Sequence, residues 1–179
     1  MAESRAESAY AAALDEVERV KREGGTELRL GGRPFRSLER IPSEVAGIVR
    51  LQTLVLTRTA VTDLAPIRRL TSLRWLELDQ TKISDLNPIS DLTEIRWLWL
   101  NETAVTNLAP VEGLIQLTLL SLRQTGVADL SALSGLVNLE SLFLNQTSVA
   151  DLTPIASLHK LKKLRLGQTP VSDLTPLRV

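Results

Sequence analysis

The chain has 179 residues, 44% of them hydrophobic and 23% charged, enough for one domain with a substantial core. Lys plus Arg and Asp plus Glu stand at 21 each, which argues against a nucleic-acid or anionic-membrane binder held by bulk charge. The absence of cysteine excludes disulfides, thiolate metal sites and cysteine nucleophiles, and it suits a reducing compartment.

The N-terminal residues are charged and contain no apolar run of signal-peptide length. No window is long and charge-free enough to span a membrane. A cytoplasmic location is the expectation. Residues 4–23 read as a helix, within an N-terminal capping segment 1–25. Ser4 and Glu7 fit a capping box. Tyr10, Ala13, Leu14, Val17 and Val20 recur at helical spacing and form an apolar stripe. Asp15 with Arg19, and Glu18 with Arg22, are candidate i,i+4 ion pairs, and Gly24-Gly25 stops the helix. Such a helix is marginal alone, so its stripe needs a partner.

Residues 26–47 supply one. Glu27-Leu28-Arg29-Leu30 alternates like a strand, and Leu38, Ile41, Val45 and Ile48 follow irregularly. Leu28 and Leu54 lie 26 residues apart, where later equivalents lie 22 apart. Terminal units of repeat arrays are atypical because they close an open core. The helix is expected to cover this first strand; a free partner-binding helix is the alternative.

From Ile48 the register never slips. Six units of 22 residues, starting at Ile48, Leu70, Leu92, Leu114, Leu136 and Leu158, fill residues 48–179. Internal repetition of this kind fixes the architecture before any other signal. Each unit reads close to L-x-x-L-x-x-L-x-L-x-x-T-x-V-x-D-L-x-P-L-x-x. The pattern resembles bacterial leucine-rich repeats of the 22-residue class found in internalin-like proteins, over about 150 residues of the chain. The resemblance implies an α/β solenoid of right hand. It would have a parallel concave sheet of about seven strands and a helical N-terminal cap. It departs from the family pattern in carrying Thr where Asn is usual.

The residues themselves support that picture. Leu76 and Leu78 alternate with Trp75, Glu77 and Asp79, so residues 74–79 should form a short strand. Thr59, Thr81, Thr103, Thr125, Thr147 and Thr169 then close a turn, where their hydroxyls can bond the backbone of neighbouring turns as Asn does in the family, but Thr reaches less far, so a tighter turn or fewer such bonds are expected. Recurrence on every coil marks these threonines as scaffold rather than catalysts. Asp63, Asp85, Asn107, Asp129, Asp151 and Asp173 sit where an N-cap would begin the return segment. Prolines at 66, 88, 110, 154 and 176 hold that segment to a 3₁₀ turn on the convex side; only the fourth unit departs, with Ala132. The aspartates stand one per coil, so no metal site and no cofactor are expected.

What does not repeat carries the functional reading. The outward strand positions make three columns. They are Thr53, Trp75, Trp97, Leu119, Ser141, Lys163; then Val55, Glu77, Trp99, Ser121, Phe143, Arg165; then Thr57, Asp79, Asn101, Arg123, Asn145, Gly167. All three tryptophans of the chain fall there. Trp75, Trp97, Trp99, Leu119 and Phe143 are expected to form an apolar patch with Glu77, Asp79, Asn101 and Arg123 around it, joined by Arg96 and Glu102. Apolar patches rimmed by charge mark partner sites, and tryptophan is a favoured hot-spot residue. Aromatics also simply favour strands and stack across coils. A carbohydrate site would use exposed tryptophan too, but a flat sheet suits a protein better. His159, the only histidine, stands in a surface column with Val49, Thr71, Thr93, Ile115 and Val137. With no cysteine and no second histidine, no zinc site and no serine triad is expected. The sequons at Asn101 and Asn145 follow from the repeat's own Thr.

The expected function is therefore a non-enzymatic scaffold that binds a protein partner through its concave face, with no nucleic-acid or membrane partner. The alternative is a targeting or regulatory arm of a larger enzyme. The N-terminal extension resembles those preceding GTPase modules in Roco-type proteins, although no GTPase motif occurs here. The repeat ends at Val179 with Leu164, Leu166, Leu174 and Leu177 open, through further residues, a frayed end or self-association of two chains.

Overall fold

The computed structural model describes residues 2–177, with side chains from residue 4 onward. One helix, α1 (Ala2–Arg22), precedes seven three-residue strands. They are β1 (Glu27–Arg29), β2 (Thr53–Val55), β3 (Trp75–Glu77), β4 (Trp97–Trp99), β5 (Leu119–Ser121), β6 (Ser141–Phe143) and β7 (Lys163–Arg165). All pair in parallel, in chain order, as one open sheet. Leu54, Leu76, Leu98, Leu120, Leu142 and Leu164 face one another in register, so the 22-residue period is the sheet's register. The longer first step also holds, with Leu28 opposite Leu54. The chain is a leucine-rich-repeat solenoid. Residue 179 lies outside the described residues.

Each coil folds by the same local rules. The two strand leucines point inward and are fully buried in β1 to β6, as Leu98 and Leu100 are in β4. Each such side chain contributes about 1.5–3 kcal/mol of apolar burial. The strand then turns through a residue with φ near +60°, which is Arg58, Gln80, Glu102, Gln124, Gln146 or Gln168. None is glycine, and this left-handed geometry costs an L-residue roughly 1–2 kcal/mol. The following threonine fastens the turn. Thr81 donates its hydroxyl to the Leu78 carbonyl at 2.7 Å, and Thr59, Thr103, Thr125, Thr147 and Thr169 do the same three residues back. These bonds lie within a turn. The turn threonines make no bonds between turns among the described residues, because each of these hydroxyls is committed to the carbonyl three residues back in its own coil.

The acidic position also shifts by one. Asp85 Oδ1 accepts the Asn87 N–H at 2.9 Å, so the carboxylate stands one residue before the cap position, which Leu86 occupies. Asn107 makes the same contact to Ala109. Short 3₁₀ turns follow in every coil, including Ser131–Leu133, where no proline is present. The Asx contact from Asp129 is enough to start that turn.

α1 covers the β1 end. Ala9, Ala13, Val17 and Val20 are buried in the same core as Leu28, Leu30 and Val45, while Leu14 stays at the margin. Arg40 lies over the Tyr10 ring at 4.4 Å and adds a cation–π contact between helix and first coil. The helix already includes Ala2, so Ser4 lies inside it and the capping box does not form. Gly24, at φ 65°, ends it as expected. The ion pairs differ from those expected. Arg19 bonds Glu16 at 2.6 Å and Glu23 at 2.5 Å, and Lys21 approaches Glu18 at 3.6 Å. A bidentate guanidinium joins the acids on both sides of it in preference to Asp15.

Candidate interaction surface

The inward leucine of each strand forces its two neighbours onto the outer face of the sheet. Register then decides which meet. Trp75, Trp97 and Leu119 are consecutive cross-strand neighbours, and Glu77, Trp99, Ser121 and Phe143 form the next row. The three indoles gather. Trp75 and Trp97 centroids are 5.6 Å apart at 43°, and Trp75 and Trp99 are 4.2 Å apart at 30°. All three are half-buried. The Trp75 Nε1–H is buried and has no acceptor among the described residues. Unpaired buried donors are rare and cost about 1–3 kcal/mol. Both readings of the tryptophans thus meet here: they stack on one another and still keep part of their surface open to solvent.

The rest of the row divides. Leu119 continues the cluster beside Trp97 and is half-buried. Phe143 lies one strand beyond Ser121 and enters neither aromatic pair. Val55 and Ser121, outward by pattern, are buried by their neighbours. The most exposed large apolar side chains lie off this face. Val49 is 65% exposed, Ile115 53% and Val137 52%, all in the column shared with His159.

The third column is a hydrogen-bonded ladder. The Asn101 backbone N–H donates to Asp79 Oδ1 at 2.8 Å and its side-chain amide donates to Asp79 Oδ2 at 2.9 Å. Asn101 Oδ1 in turn accepts from the Arg123 N–H at 2.9 Å and the Ser121 hydroxyl at 2.5 Å. Asp79 and Asn101 therefore pin three coils together, which their outward position alone does not reveal. Burial pushes the Asp79 carboxyl above its usual range, against the lowering effect of its bonds from Asn101. Glu77 accepts the Thr57 hydroxyl at 2.7 Å. The Arg123 side chain is exposed.

A second feature emerges at the turns. Arg58 donates to Gln80 at 2.7 Å, and Gln80 donates to Glu102 at 2.9 and 3.0 Å. These residues line an open groove of about 500 Å³ along the strand ends, together with Arg29, Asp79 and Arg123. The signal for it was the position before each turn threonine, which the repeat fixes. Among the described residues no three His, Asp or Glu side chains gather to hold a metal. Nor is any described helix long and apolar enough to cross a membrane.

Comparisons with known proteins agree with this architecture. A family model described as leucine-rich repeats in two copies matches residues 137–179. No curated protein matches the sequence. Among solved structures, an internalin of Listeria monocytogenes (inlF) superposes with a TM-score of 0.76 at 26% identity, over 88% of this chain and 47% of that one. Internalin C2 of the same organism gives 0.79 at 24% identity, over 94% and 87%. A leucine-rich-repeat protein of Leptospira interrogans gives 0.71 at 25% identity, over 75% and 36%. The chain thus spans about half of the first of these proteins and about a third of the last.

Proposed function

We propose that this leucine-rich-repeat solenoid is a protein-binding scaffold whose contact surface is the aromatic cluster on the concave sheet face. One observation carries the reading. Trp97 and Trp99 lie 5.6 and 4.2 Å from Trp75 on the outer face of the sheet, and contiguous apolar patches that remain partly exposed mark interaction sites. Large, rigid and partly desolvated rings are what interface hot spots are made of. Glu77 and Asp79 flank the cluster and Leu119 extends it. Arg123, whose exposed guanidinium forms no ion pair among the described residues, stands on the adjoining strand. Asn101 belongs to the site as the residue that holds Asp79 in place, and Phe143 as an outlying apolar contact.

The test is capture of a partner by the wild-type chain and by Trp97→Ala/Trp99→Ala. Loss of one hot spot costs about 2 kcal/mol or more, so affinity should fall roughly 30-fold or further. The variant loses ring contacts worth about 0.5–1.5 kcal/mol each, so it melts lower but stays folded at assay temperature. Undiminished capture by a folded variant would remove the cluster from consideration.

A further inference from the structure

The aromatic cluster lies between two groups of like charge. Arg74 and Arg96 immediately precede Trp75 and Trp97, on neighbouring coils where the Arg96 N–H donates to the Arg74 carbonyl at 2.9 Å. Both side chains are exposed, and neither forms an ion pair among the described residues. Glu94, two residues before Arg96, does not pair with it. Like charges facing each other across strands are destabilising. The array can do otherwise in this same column. Two coils beyond Arg96, Glu140 accepts from Lys162 at 2.9 Å.

The opposite side of the cluster is acidic. Glu77 faces Trp99 across the strands, Asp79 follows it on β3's outer face, and Glu102 stands at the turn after β4. Their hydrogen bonds come from neutral groups: Thr57 to Glu77, Asn101 to Asp79 and Gln80 to Glu102. None of the three forms an ion pair among the described residues. Arg58, on the preceding coil, is held by Gln80 instead. Arg123, on the following coil, reaches none of the three carboxylates. Burial first, then the negative charges of Glu77 and Glu102, push the Asp79 carboxyl upward, against the bonds from Asn101. The open groove at the strand ends begins here, with Asp79 and Glu102 in its lining, and has room for a long side chain. Both groups therefore cost the free protein stability, and both are relieved by opposite charge brought from outside. Arg74 and Asp79 are five residues apart, about 16 Å along an extended strand.

We infer that the protein partner presents an extended segment that is acidic at one end, apolar in the middle and basic at the other, lying along β3 and β4. Its acidic end meets Arg74 and Arg96, its apolar middle covers Trp75, Trp97 and Trp99, and its basic end enters the groove at Asp79 and Glu102. This rests on the aromatic contact surface proposed above and adds to it the charge order of the partner. Charges around an interface set specificity more than raw affinity. A segment with like charges at both ends is attracted at one end and repelled at the other.

The experiment measures anisotropy of four short labelled peptides with the same central leucines. Their end residues, set five apart, are glutamate and lysine, glutamate twice, lysine twice, or glutamine twice. The mixed peptide should bind the wild-type chain about tenfold more tightly than either like-charged peptide. That advantage should vanish in about 1 M salt, where the screening length falls to about 3 Å. Arg74→Glu/Arg96→Glu, at exposed positions, should prefer the lysine peptide while keeping the wild-type circular dichroism. The ranking and its salt response on the wild-type chain decide the matter even where that variant does not fold. Trp97→Ala/Trp99→Ala should weaken all four peptides, the glutamine one included. Equal affinities for the charged peptides, or a preference that neither salt nor the arginine variant alters, overturn the charge order, and leave the aromatic surface standing where the tryptophan variant still weakens the glutamine peptide. No binding, or binding that the tryptophan variant leaves intact, removes the aromatic surface and the charge order with it.

Discussion

At the scale of single residues, the carboxylates separate into two kinds with opposite responses to pH. The Ser131 hydroxyl, with its backbone N–H, holds Asp129 below the usual carboxylate range. Thr153 does the same for Asp151, and the Thr175 N–H and hydroxyl do it for Asp173. These groups stabilise the fold above the ordinary carboxylate value of about 3.9, and that stability is lost as pH falls through their depressed values. Asp79 behaves in the reverse sense. Burial raises it, so the folded chain favours its protonated form, and stability declines as pH rises from the ordinary value through the raised one. Asn107 shows that an amide makes the same Asx contact without titrating. Asp129→Asn/Asp151→Asn/Asp173→Asn should therefore fold normally at neutral pH. It should show a flatter fall of melting temperature below about pH 4 than the wild type. An identical acid limb in the two proteins would show that these contacts do not set acid stability.

At the scale of elements, α1 is the piece whose removal the fold should feel first. It supplies Ala13, Val17 and Val20 to the core above β1, yet it has no continuous partner beyond the first coil. Val17→Asp places a carboxylate in that contact at a cost of roughly 3 kcal/mol or more. The three indoles sit on β3 and β4, so fluorescence reports the central coils and helical circular dichroism reports the cap. In urea the variant should lose the helical signal well before the fluorescence signal changes. Coincident transitions would mean that cap and coils form one cooperative unit.

The elements also show what a sequence can disclose. Leucine spacing gave period, strand positions, turn positions and register, because inward packing tolerates no slip by one residue. The helix start was misplaced because Ser4 and Glu7 form a cap-like pair that lies inside a longer helix. The left-handed turns were invisible. Gln80, Glu102 and Arg58 carry none of the Gly or Asn preference by which positive φ is ordinarily recognised. The ladder from Asp79 through Asn101 to Arg123 joins residues 22 apart and depends on side-chain orientation, so the columns located these residues but not their bonds. The clustering of the tryptophans was legible, since alternation and register together place them. The same columns already place Ser121 between Trp99 and Phe143; what they do not reveal is that Ser121 is buried there.

For the whole molecule, stability is close to a sum of coils and nearest-neighbour contacts. The two ends then differ. The β1 end is closed by a helix, and the β7 end exposes Leu174 and leaves Leu161, Leu164 and Leu166 half-covered. Native-state hydrogen exchange should find the amides of β7 least protected, those of β4 and β5 most protected, and those of β1 above those of β7. Uniform protection along the sheet would contradict a nearest-neighbour array.

The threonine turns carry a consequence for how such a chain can change over generations. Each hydroxyl is satisfied inside its own coil, so duplication or deletion of a whole 22-residue unit strands no turn donor on either side of the junction. Unequal recombination can lengthen or shorten the solenoid at the outer coils as if exchanging cassettes. The third to fifth strands are less interchangeable. There Asp79, Asn101 and Arg123 are matched to one another across coils, so a junction placed inside this block would separate bonded partners. It is the same block that carries the three indoles, so an exchange of units that keeps Asp79, Asn101 and Arg123 together also keeps the aromatic surface whole.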